Sequence, residues 1–386
     1  MPLLSADLIY TPAGFLQDHC LECTDAGEII SLRPRRQLDA PIHHAGLLLP
    51  GFVNAHCHSE LSMMEGKLTE GAGMATFIEQ IISLRGTFSE EDQRLGVEKA
   101  FAYMWESGTV LLGDISNAPV SIETKRRSPL RSYTFVEVFA LGEGQAQETF
   151  ERGLDLLQQF EGLSVSLTHH APYTMSSSLI RKVYEHAAAR QQLLSIHLLE
   201  SQGERALFEE KGGPFVAVFQ KLGIPFAGFA ANTAQAHMLA DMDASQPALF
   251  VHNTEMTAEE LDTIAGDFPH TFFCLCPRSN YFIHRTWPDA ELFARYSDRI
   301  CLGTDSIASN YSLDLFEEVK VLHERHPALS LHTLLKWATT NGAAALHQSG
   351  NFGTFAPGTR PGINLLRGID IPHLKLSAGC RITKLA

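Results

Sequence analysis

The chain has 386 residues, of which 45% are hydrophobic and 19% charged, a globular composition that excludes a disordered, collagen-like or coiled-coil protein. Its 30 basic and 44 acidic side chains give a formal net charge of −14, so the sequence predicts no basic surface for a nucleic acid or an anionic membrane. The N-terminal residues contain neither a basic segment followed by an apolar one nor an apolar stretch of membrane-spanning length. We therefore expect a cytoplasmic protein that binds neither nucleic acid nor membrane.

Short strand-like segments separated by Gly, Pro and Asp turns fill residues 1–50, and residues 353–386 return to this pattern. Between them, eight β-rich segments alternate with amphipathic helical segments, which is typical of a parallel sheet wrapped by helices. The predicted strands are 51–58, 109–116, 132–140, 163–171, 192–200, 248–253, 270–276 and 299–305. Predicted helices include 74–85, 148–160, 176–190, 257–266 and 312–325. The fold class is therefore α/β, with a (β/α)8 barrel at 51–352 and a small β-sandwich built from 1–50 and 353–386.

Seven cysteines are spread along the chain, and several lie within apolar segments, which predicts reduced and buried thiols. Cys20 and Cys23 form a C-x-x-C pair. A structural zinc site needs a second such pair, and Cys274 and Cys276 are too closely spaced to supply it. The 18 histidines are the more informative feature of the composition.

Histidine and acidic residues recur at the C-terminal ends of the predicted strands, where barrel enzymes place their active sites. His56 and His58 are two residues apart in the first of these strands, so both side chains project to one face. His197 lies near the end of the fifth strand and Asp305 at the end of the eighth. Each residue alone has a plainer interpretation, such as an ordinary strand histidine or, for Asp305, a helix cap. Together, three imidazoles and a carboxylate suit zinc or ferrous iron with one position left for water.

Six segments, taken in order, resemble the strand ends of the amidohydrolase superfamily in its mononuclear nucleoside and nucleobase deaminase branch. They are PGFVNAHCHSEL, HHAPYT, HLLES, VHN, CPRSN and GTDSIASNYSLDLFEE. The resemblance covers essentially the whole chain, and it implies one divalent metal ion, zinc or alternatively iron, on His56, His58, His197 and Asp305. Binuclear members of the superfamily use a lysine on the fourth strand to bridge two ions, and SVSLTHHAP contains none.

The resemblance also implies the catalytic residues. Glu200, three residues after His197, would be the proton shuttle, although a solvent-facing position in the first turn of the next helix is the alternative. His252, at the end of the sixth strand, would take the proton of the attacking water together with Asp305. His237 is the competing candidate, but it lies in an apolar helical segment.

The implied reaction is hydrolytic deamination of a small-molecule nucleoside by water. The residues after the histidine pair, Ser59-Glu60-Leu61, are similar to proteins of the futalosine route to menaquinone, which favours 6-aminodeoxyfutalosine, an adenine nucleoside with a carboxyphenyl ketone. Adenosine, methylthioadenosine and S-adenosylhomocysteine are the alternatives. Opening of a cyclic amide, displacement of chloride from a triazine, or metal binding without catalysis would be different functions. A pair of proton carriers beside one ion favours deamination over ring opening.

Four further residues are candidates for substrate binding. His170 in HHAPYT resembles a substrate-contacting residue of the deaminase branch, and Ser309 in GTDSIASN is assigned to the same role. A buried substrate carboxylate needs a cationic partner, and Arg278 and Arg285 follow the seventh strand at the predicted active-site face. The sequence leaves open whether the protein forms a homo-oligomer.

Overall fold

The structure is a computed structural model that describes residues 2–386. Within these residues, fifteen strands and fourteen α-helices follow one another along the chain. Strands β1 to β15 span Leu3–Thr11, Gly14–Leu16, His19–Cys23, Ile29–Pro34, Ile42–Pro50, Phe52–Cys57, Thr109–Ser116, Arg131–Val138, Ser164–His169, Leu194–Leu198, Ala248–His252, Thr271–Leu275, Ile300–Leu302, Ile363–Arg367 and Arg381–Lys384. Helices α1 to α14 span Gly73–Arg85, Glu90–Glu106, Ile122–Arg127, Ala146–Gln159, Ser177–Ala188, Gln202–Glu209, Pro214–Lys221, Ala234–Met238, Ala258–Asp267, Pro277–His284, Ala290–Phe293, Leu315–Arg325, Leu331–Ala338 and Thr340–Ala345.

Two four-stranded parallel sheets form the middle of the molecule, one in the order β6-β7-β8-β9 and the other in the order β10-β11-β12-β13. Backbone hydrogen bonds join the C-terminal ends of their edge strands. The amide of His197 donates to the carbonyl of His170 at 2.9 Å, and the amide of Thr304 donates to the carbonyl of His56 at 3.1 Å. The eight strands therefore place their C-terminal ends next to one another.

The eight predicted strands are confirmed, each with both ends within three residues of the predicted ones, and so are the five predicted helices. Every residue of β6, β7, β10 and β11 is buried, as parallel strands covered on both faces require. Side-chain caps begin several of the helices between them. Ser89 and Thr257, for example, form capping boxes with Asp92 and Glu260.

The two ends of the chain share one mixed sheet of seven strands, in the order β15-β14-β5-β1-β3-β4 with β2 beside β1. Strand β14 pairs antiparallel with β5, and β5 runs parallel to β1. The sheet has a small core of its own, which includes Leu4, Ile9, Leu21, Leu48 and Ile363. The division of these strands into a sandwich, and the domain boundaries, stay predictions.

Two expectations from composition can be compared with the structure. All seven cysteines are buried and free, which confirms the prediction of packed thiols. None of the helices in residues 2–386 has both the length and the apolar character needed to cross a bilayer.

Candidate active site

The four candidate metal ligands come together at the C-terminal ends of three strands. His56 lies in β6 and His58 directly follows it, His197 lies in β10, and Asp305 follows β13. The Nε2 atoms of His58 and His197 are 3.2 Å apart. Asp305 Oδ1 lies 3.8 Å from His56 Nε2 and 3.6 Å from His58 Nε2. The strand alternation that predicted a shared face for His56 and His58 is therefore confirmed.

The donor atoms of these side chains fit a divalent ion. His56 is fully buried, yet neither of its ring nitrogens has a hydrogen-bond partner, which is costly unless another ligand satisfies them. His197 Nδ1 lies 3.0 Å from the carbonyl oxygen of His170, which can only accept, so Nδ1 carries the proton and Nε2 is left to bind an ion. Imidazole nitrogens and a carboxylate oxygen are a ligand set for zinc or ferrous iron.

Electrostatics favour the protonation states that metal binding needs. Burial lowers the pKa of His56, His58 and His197 below the ordinary value for histidine, so these imidazoles are neutral at pH 7. Burial raises the pKa of Asp305, but the nearby imidazoles of His58 and His252 outweigh this effect and hold the pKa at about 2. Neutral imidazole and ionised carboxylate are the ligand forms.

Two hydroxyl groups fix the orientation of the Asp305 carboxylate. Ser279 Oγ and Ser309 Oγ donate hydrogen bonds of 2.6 and 2.7 Å to Asp305 Oδ2, which leaves Oδ1 facing the histidines. The backbone of Asp305 has a φ of +56°, in the left-handed region that is uncommon for a residue with a side chain and that recurs at functional sites. The structure thus places Ser309 against a candidate metal ligand.

Glu200 and His252 lie side by side among the same buried groups. Glu200 Oε1 is 3.5 Å from His252 Nε2, and the side-chain amide of Asn280 contacts Nδ1 on the other side of the ring at 3.3 Å. Burial, reinforced by the charge of Asp305, raises the pKa of Glu200 well above its ordinary value, so this carboxyl can hold a proton at neutral pH. Burial lowers the pKa of His252 to about 4. A proton donor and a neutral base therefore adjoin the metal-ligand set.

His237, the alternative to His252, lies away from this site. Its Nε2 is 2.9 Å from the carbonyl oxygen of Met175, and its ring packs against Phe208 and Phe229. Among the two histidines, only His252 faces the candidate metal ligands.

Sequence reasoning missed Glu137, which lies near the end of β8. Glu137 Oε1 is 3.7 Å from His197 Nδ1, and Asn117 Nδ2 donates a hydrogen bond of 3.1 Å to Glu137 Oε2. Burial raises the pKa of Glu137 to about 8, so the carboxyl can donate a hydrogen bond at neutral pH. A lone acidic residue inside the apolar segment TFVEVFA was the signal that could have indicated it.

A cavity of about 1070 Å³ opens above these residues, just above the usual range for small-molecule sites. Its base is polar and is formed by His58, Glu137, His170, His197, Glu200, His252 and Asp305. Its walls are mostly apolar and come largely from α1 and from α7 with the loop that follows, through Met74, Phe77, Ile78, Ile81, Ile82, Val218, Phe219, Leu222 and Ile224. The predicted binding residue His170 thus lines the cavity.

The structure does not bring Arg278 or Arg285 to this cavity. Arg278 is in the first turn of α10, where its backbone amide donates to Glu318 and its guanidinium donates to Ser312 Oγ at 3.2 Å. Arg285 forms an ion pair of 2.6 Å with Glu70. Both partners of Arg278 lie in or just before α12, so its side chain is turned away from the substrate contact that the sequence predicted.

A family model, two sequence relatives and one solved structure are similar to this chain over most of its length. The amidohydrolase family model matches residues 47–382. A Helicobacter pylori protein named adenosine deaminase is 30% identical over 317 residues, which are 80% of this chain and 76% of the relative. A Nitratiruptor protein named aminodeoxyfutalosine deaminase is 26% identical over 387 residues, covering 97% of this chain and 92% of the relative. The crystal structure of Helicobacter pylori aminofutalosine deaminase in complex with methylthio-coformycin is similar with a TM-score of 0.80 and 25% identity, over 95% of this chain and 92% of that one.

Proposed function

The chain belongs to the amidohydrolase family, and we propose that it is a metal-dependent deaminase of an adenine nucleoside, with 6-aminodeoxyfutalosine of menaquinone biosynthesis as its substrate. The family and its deaminase-named relatives make it a hydrolase acting on carbon–nitrogen bonds. The observation that carries the proposal is the contact between Glu200 and His252 beside the candidate metal ligands. Departure of an amine needs a group that gives a proton as well as one that takes a proton, and this pair supplies both.

In the proposed mechanism, His56, His58, His197 and Asp305 hold one divalent ion, zinc or alternatively ferrous iron. When bound, such an ion supplies Lewis acidity that lowers the pKa of water to about 7. His252, assisted by Asp305, accepts a proton from the attacking water.

Glu200 then performs the proton transfers on the substrate side. Its raised pKa lets it donate a proton to the ring nitrogen beside the attacked carbon, which makes that carbon a better electrophile. The resulting carboxylate would next take the proton of the hydroxyl group added to the ring carbon and pass it to the amino group, which leaves as ammonia while the carbon keeps the oxygen as a carbonyl. The proton held by His252 would then return to Glu200, which lies 3.5 Å away, and restore both groups. His170 and Glu137 line the same base of the cavity and would hold the nucleoside during these steps.

The cavity supports a nucleoside that carries a large apolar substituent. The purine and the ribose would occupy the polar base, and the apolar walls from α1 and α7 would receive an aromatic arm. Adenosine in this position would leave most of these walls without a contact, which is why we favour aminodeoxyfutalosine.

The position of the cavity at the C-terminal ends of the parallel strands also fits a barrel architecture. We propose that the two parallel sheets together form one (β/α)8 barrel over residues 51–352, whose C-terminal mouth is the cavity. The chain ends would add a β-sandwich to its side.

Ammonia release from a panel of adenine nucleosides tests the proposal. The metal-loaded protein should give its highest kcat/KM with aminodeoxyfutalosine, and Glu200→Gln should abolish most of the turnover. A preference for adenosine, methylthioadenosine or S-adenosylhomocysteine would overturn the substrate but leave the reaction. Hydrolysis of a cyclic amide or a chlorotriazine without any nucleoside deamination would overturn the reaction, and no turnover of any kind would favour a metal-binding scaffold.

A further inference from the structure

One basic side chain reaches the cavity: of the Arg and Lys residues in the described part of the chain, only Arg85 is among those that line it. Arg85 is the last residue of α1, and a third of its side chain is exposed. Its ion pair with Glu60 is long, at 3.7 Å between Nη2 and Oε2, whereas Arg33 and Arg285 contact their carboxylate partners at 2.6 Å. The five N–H donors of this guanidinium are therefore available to a ligand.

Glu60 accepts a hydrogen bond from another group, so it does not occupy all the hydrogen-bond donors of Arg85. Glu60 Oε2 accepts a hydrogen bond of 2.9 Å from the backbone amide of Asn117, and the side chain is buried. Arg85 lines the same cavity as His58 and Glu137, which belong to its polar base. The guanidinium therefore faces the same space as the base of the site.

The helix that carries Arg85 shows what kind of group reaches it. Ile78, Ile81, Ile82 and Arg85 follow the spacing i, i+3, i+4, i+7, which places them on one face of α1, and all four line the cavity. Ile82 is 52% exposed, unusually so for an apolar side chain in a concave site. This face of α1 is therefore an apolar strip that ends at the guanidinium of Arg85, which forms only a long ion pair.

We propose that Arg85 binds a carboxylate carried on an apolar arm of the substrate and so selects anionic over neutral adenine nucleosides. This inference rests on the proposed function, because it takes the purine to occupy the base of the cavity. One guanidinium matches one carboxylate through two parallel hydrogen bonds. A phosphate dianion fits less well, because Arg85 is the only Arg or Lys side chain that lines the cavity in the described part of the chain, and it can balance only one of the two negative charges.

A matched pair of ligands isolates the carboxylate. The probes are 5′-deoxy-5′-(4-carboxyphenylthio)adenosine and 5′-deoxy-5′-phenylthioadenosine, which differ only in that group. Their Kd values would be measured by calorimetry on the metal-loaded full chain with Glu200→Gln, so that bound ligand is not turned over. The protein with Arg85 should prefer the carboxylate ligand, and Arg85→Met should reduce that preference at least about tenfold, which corresponds to about 1.4 kcal/mol. Arg85→Lys should keep part of the preference, since it retains the charge without the planar fork.

Two controls make the result specific. The Kd of the phenyl ligand should stay the same in Arg85→Met, which shows that the variant is folded and its apolar walls are intact. Arg285→Met removes an arginine that does not line the cavity, and it should leave the carboxylate preference unchanged. If both ligands weaken by the same factor, if the preference survives Arg85→Met, or if Arg285→Met removes it equally, the assignment to Arg85 is wrong.

Failure of the inference and failure of the proposed function give different results. The protein with Glu200 intact would be incubated with both ligands and assayed for ammonia. Deamination of both without a carboxylate preference overturns the role of Arg85 and leaves the deaminase. Absence of both binding and ammonia release overturns the proposed function and this inference with it.

Discussion

Lys125 Nζ lies 2.7 Å from Asp114 Oδ2, and neither side chain has any exposed surface. The same carboxylate accepts hydrogen bonds from the backbone amide of Ser59, at 3.0 Å, and from Ser59 Oγ, at 2.8 Å. Ser59 directly follows His58, so a buried charge pair between β7 and α3 fixes the turn that carries a candidate metal ligand. A short, fully buried ion pair thereby connects the core of the protein with the candidate active site.

Lys125→Met should destabilise the protein by about 3–5 kcal/mol, because it leaves the Asp114 carboxylate buried without its partner. The free energy of unfolding in urea measures the loss. Arg126→Met in the same helix is the matched control, since Arg126 is largely exposed and its ion pair with Glu123 is a surface one, so the change should stay within about 0.5 kcal/mol. Equal losses in the two variants would show that α3, rather than the buried pair, is responsible.

One divalent ion per chain is the second expectation, because the candidate ligands His58 and His197 bring their Nε2 atoms within 3.2 Å of each other and His197 has only Nε2 available for an ion. Elemental analysis of the purified protein measures it, and a chelator should lower the thermal unfolding temperature because the ion binds only the folded state. His56→Ala should lose the ion, whereas His237→Gln, at a packed histidine outside the site, should keep it. Two ions per chain, or none with full activity, would contradict the assignment.

The candidate metal ligands could be brought together from the sequence because a strand has a period of two and because active-site residues of barrels follow the strands directly. His56, His58, His197 and Asp305 needed only the strand positions to be right, and these were. Arg85 gave no such signal. A basic residue at the end of an amphipathic helix usually faces solvent, and only the packing of α1 over the strand ends turns it toward the cavity.

Arg278 and Arg285, the two arginines that the sequence favoured, also show that the sequence does not predict which way a side chain is directed by packing. Arg278 does follow the seventh barrel strand as predicted, but α10 begins at Pro277 and directs its backbone amide and its guanidinium toward Glu318 and Ser312. The direction of a side chain in the first turn of a helix depends on the neighbouring helix. Position along the chain could therefore place Arg278 on the correct edge of the sheet without placing it in the cavity.

Glu200→Gln should reduce kcat by about 10² to 10⁴-fold while the metal content stays at the parent level. The amide has nearly the same shape as the carboxyl group but cannot carry a proton, and Glu200, which contacts His252, is not one of the four candidate ligands. Turnover of the best nucleoside and elemental analysis on the same preparation measure the two quantities. Unchanged turnover would place the proton shuttle elsewhere, and loss of the ion would make Glu200 a ligand or a structural residue.

The contribution of Asp314 to the free energy of unfolding should fall as the pH rises from about 4 to about 6. Burial raises the pKa of this carboxyl from 3.8 to about 6, although its hydrogen bond from the amide of Phe316 at the start of α12 opposes the rise. Between these two values the folded state binds more protons at this position than the unfolded state, so the free energy of unfolding falls with pH, by at most about 1.4 kcal/mol per pH unit.

Asn is as good a helix cap as Asp and does not titrate. Urea unfolding of Asp314→Asn and of the parent protein at pH 4.5, 5.5 and 7 should therefore show the variant gaining stability relative to the parent as the pH rises, with the gain complete above pH 6. A constant difference across this range would mean that Asp314 titrates alike in the folded and unfolded states, and that its burial is relieved by water.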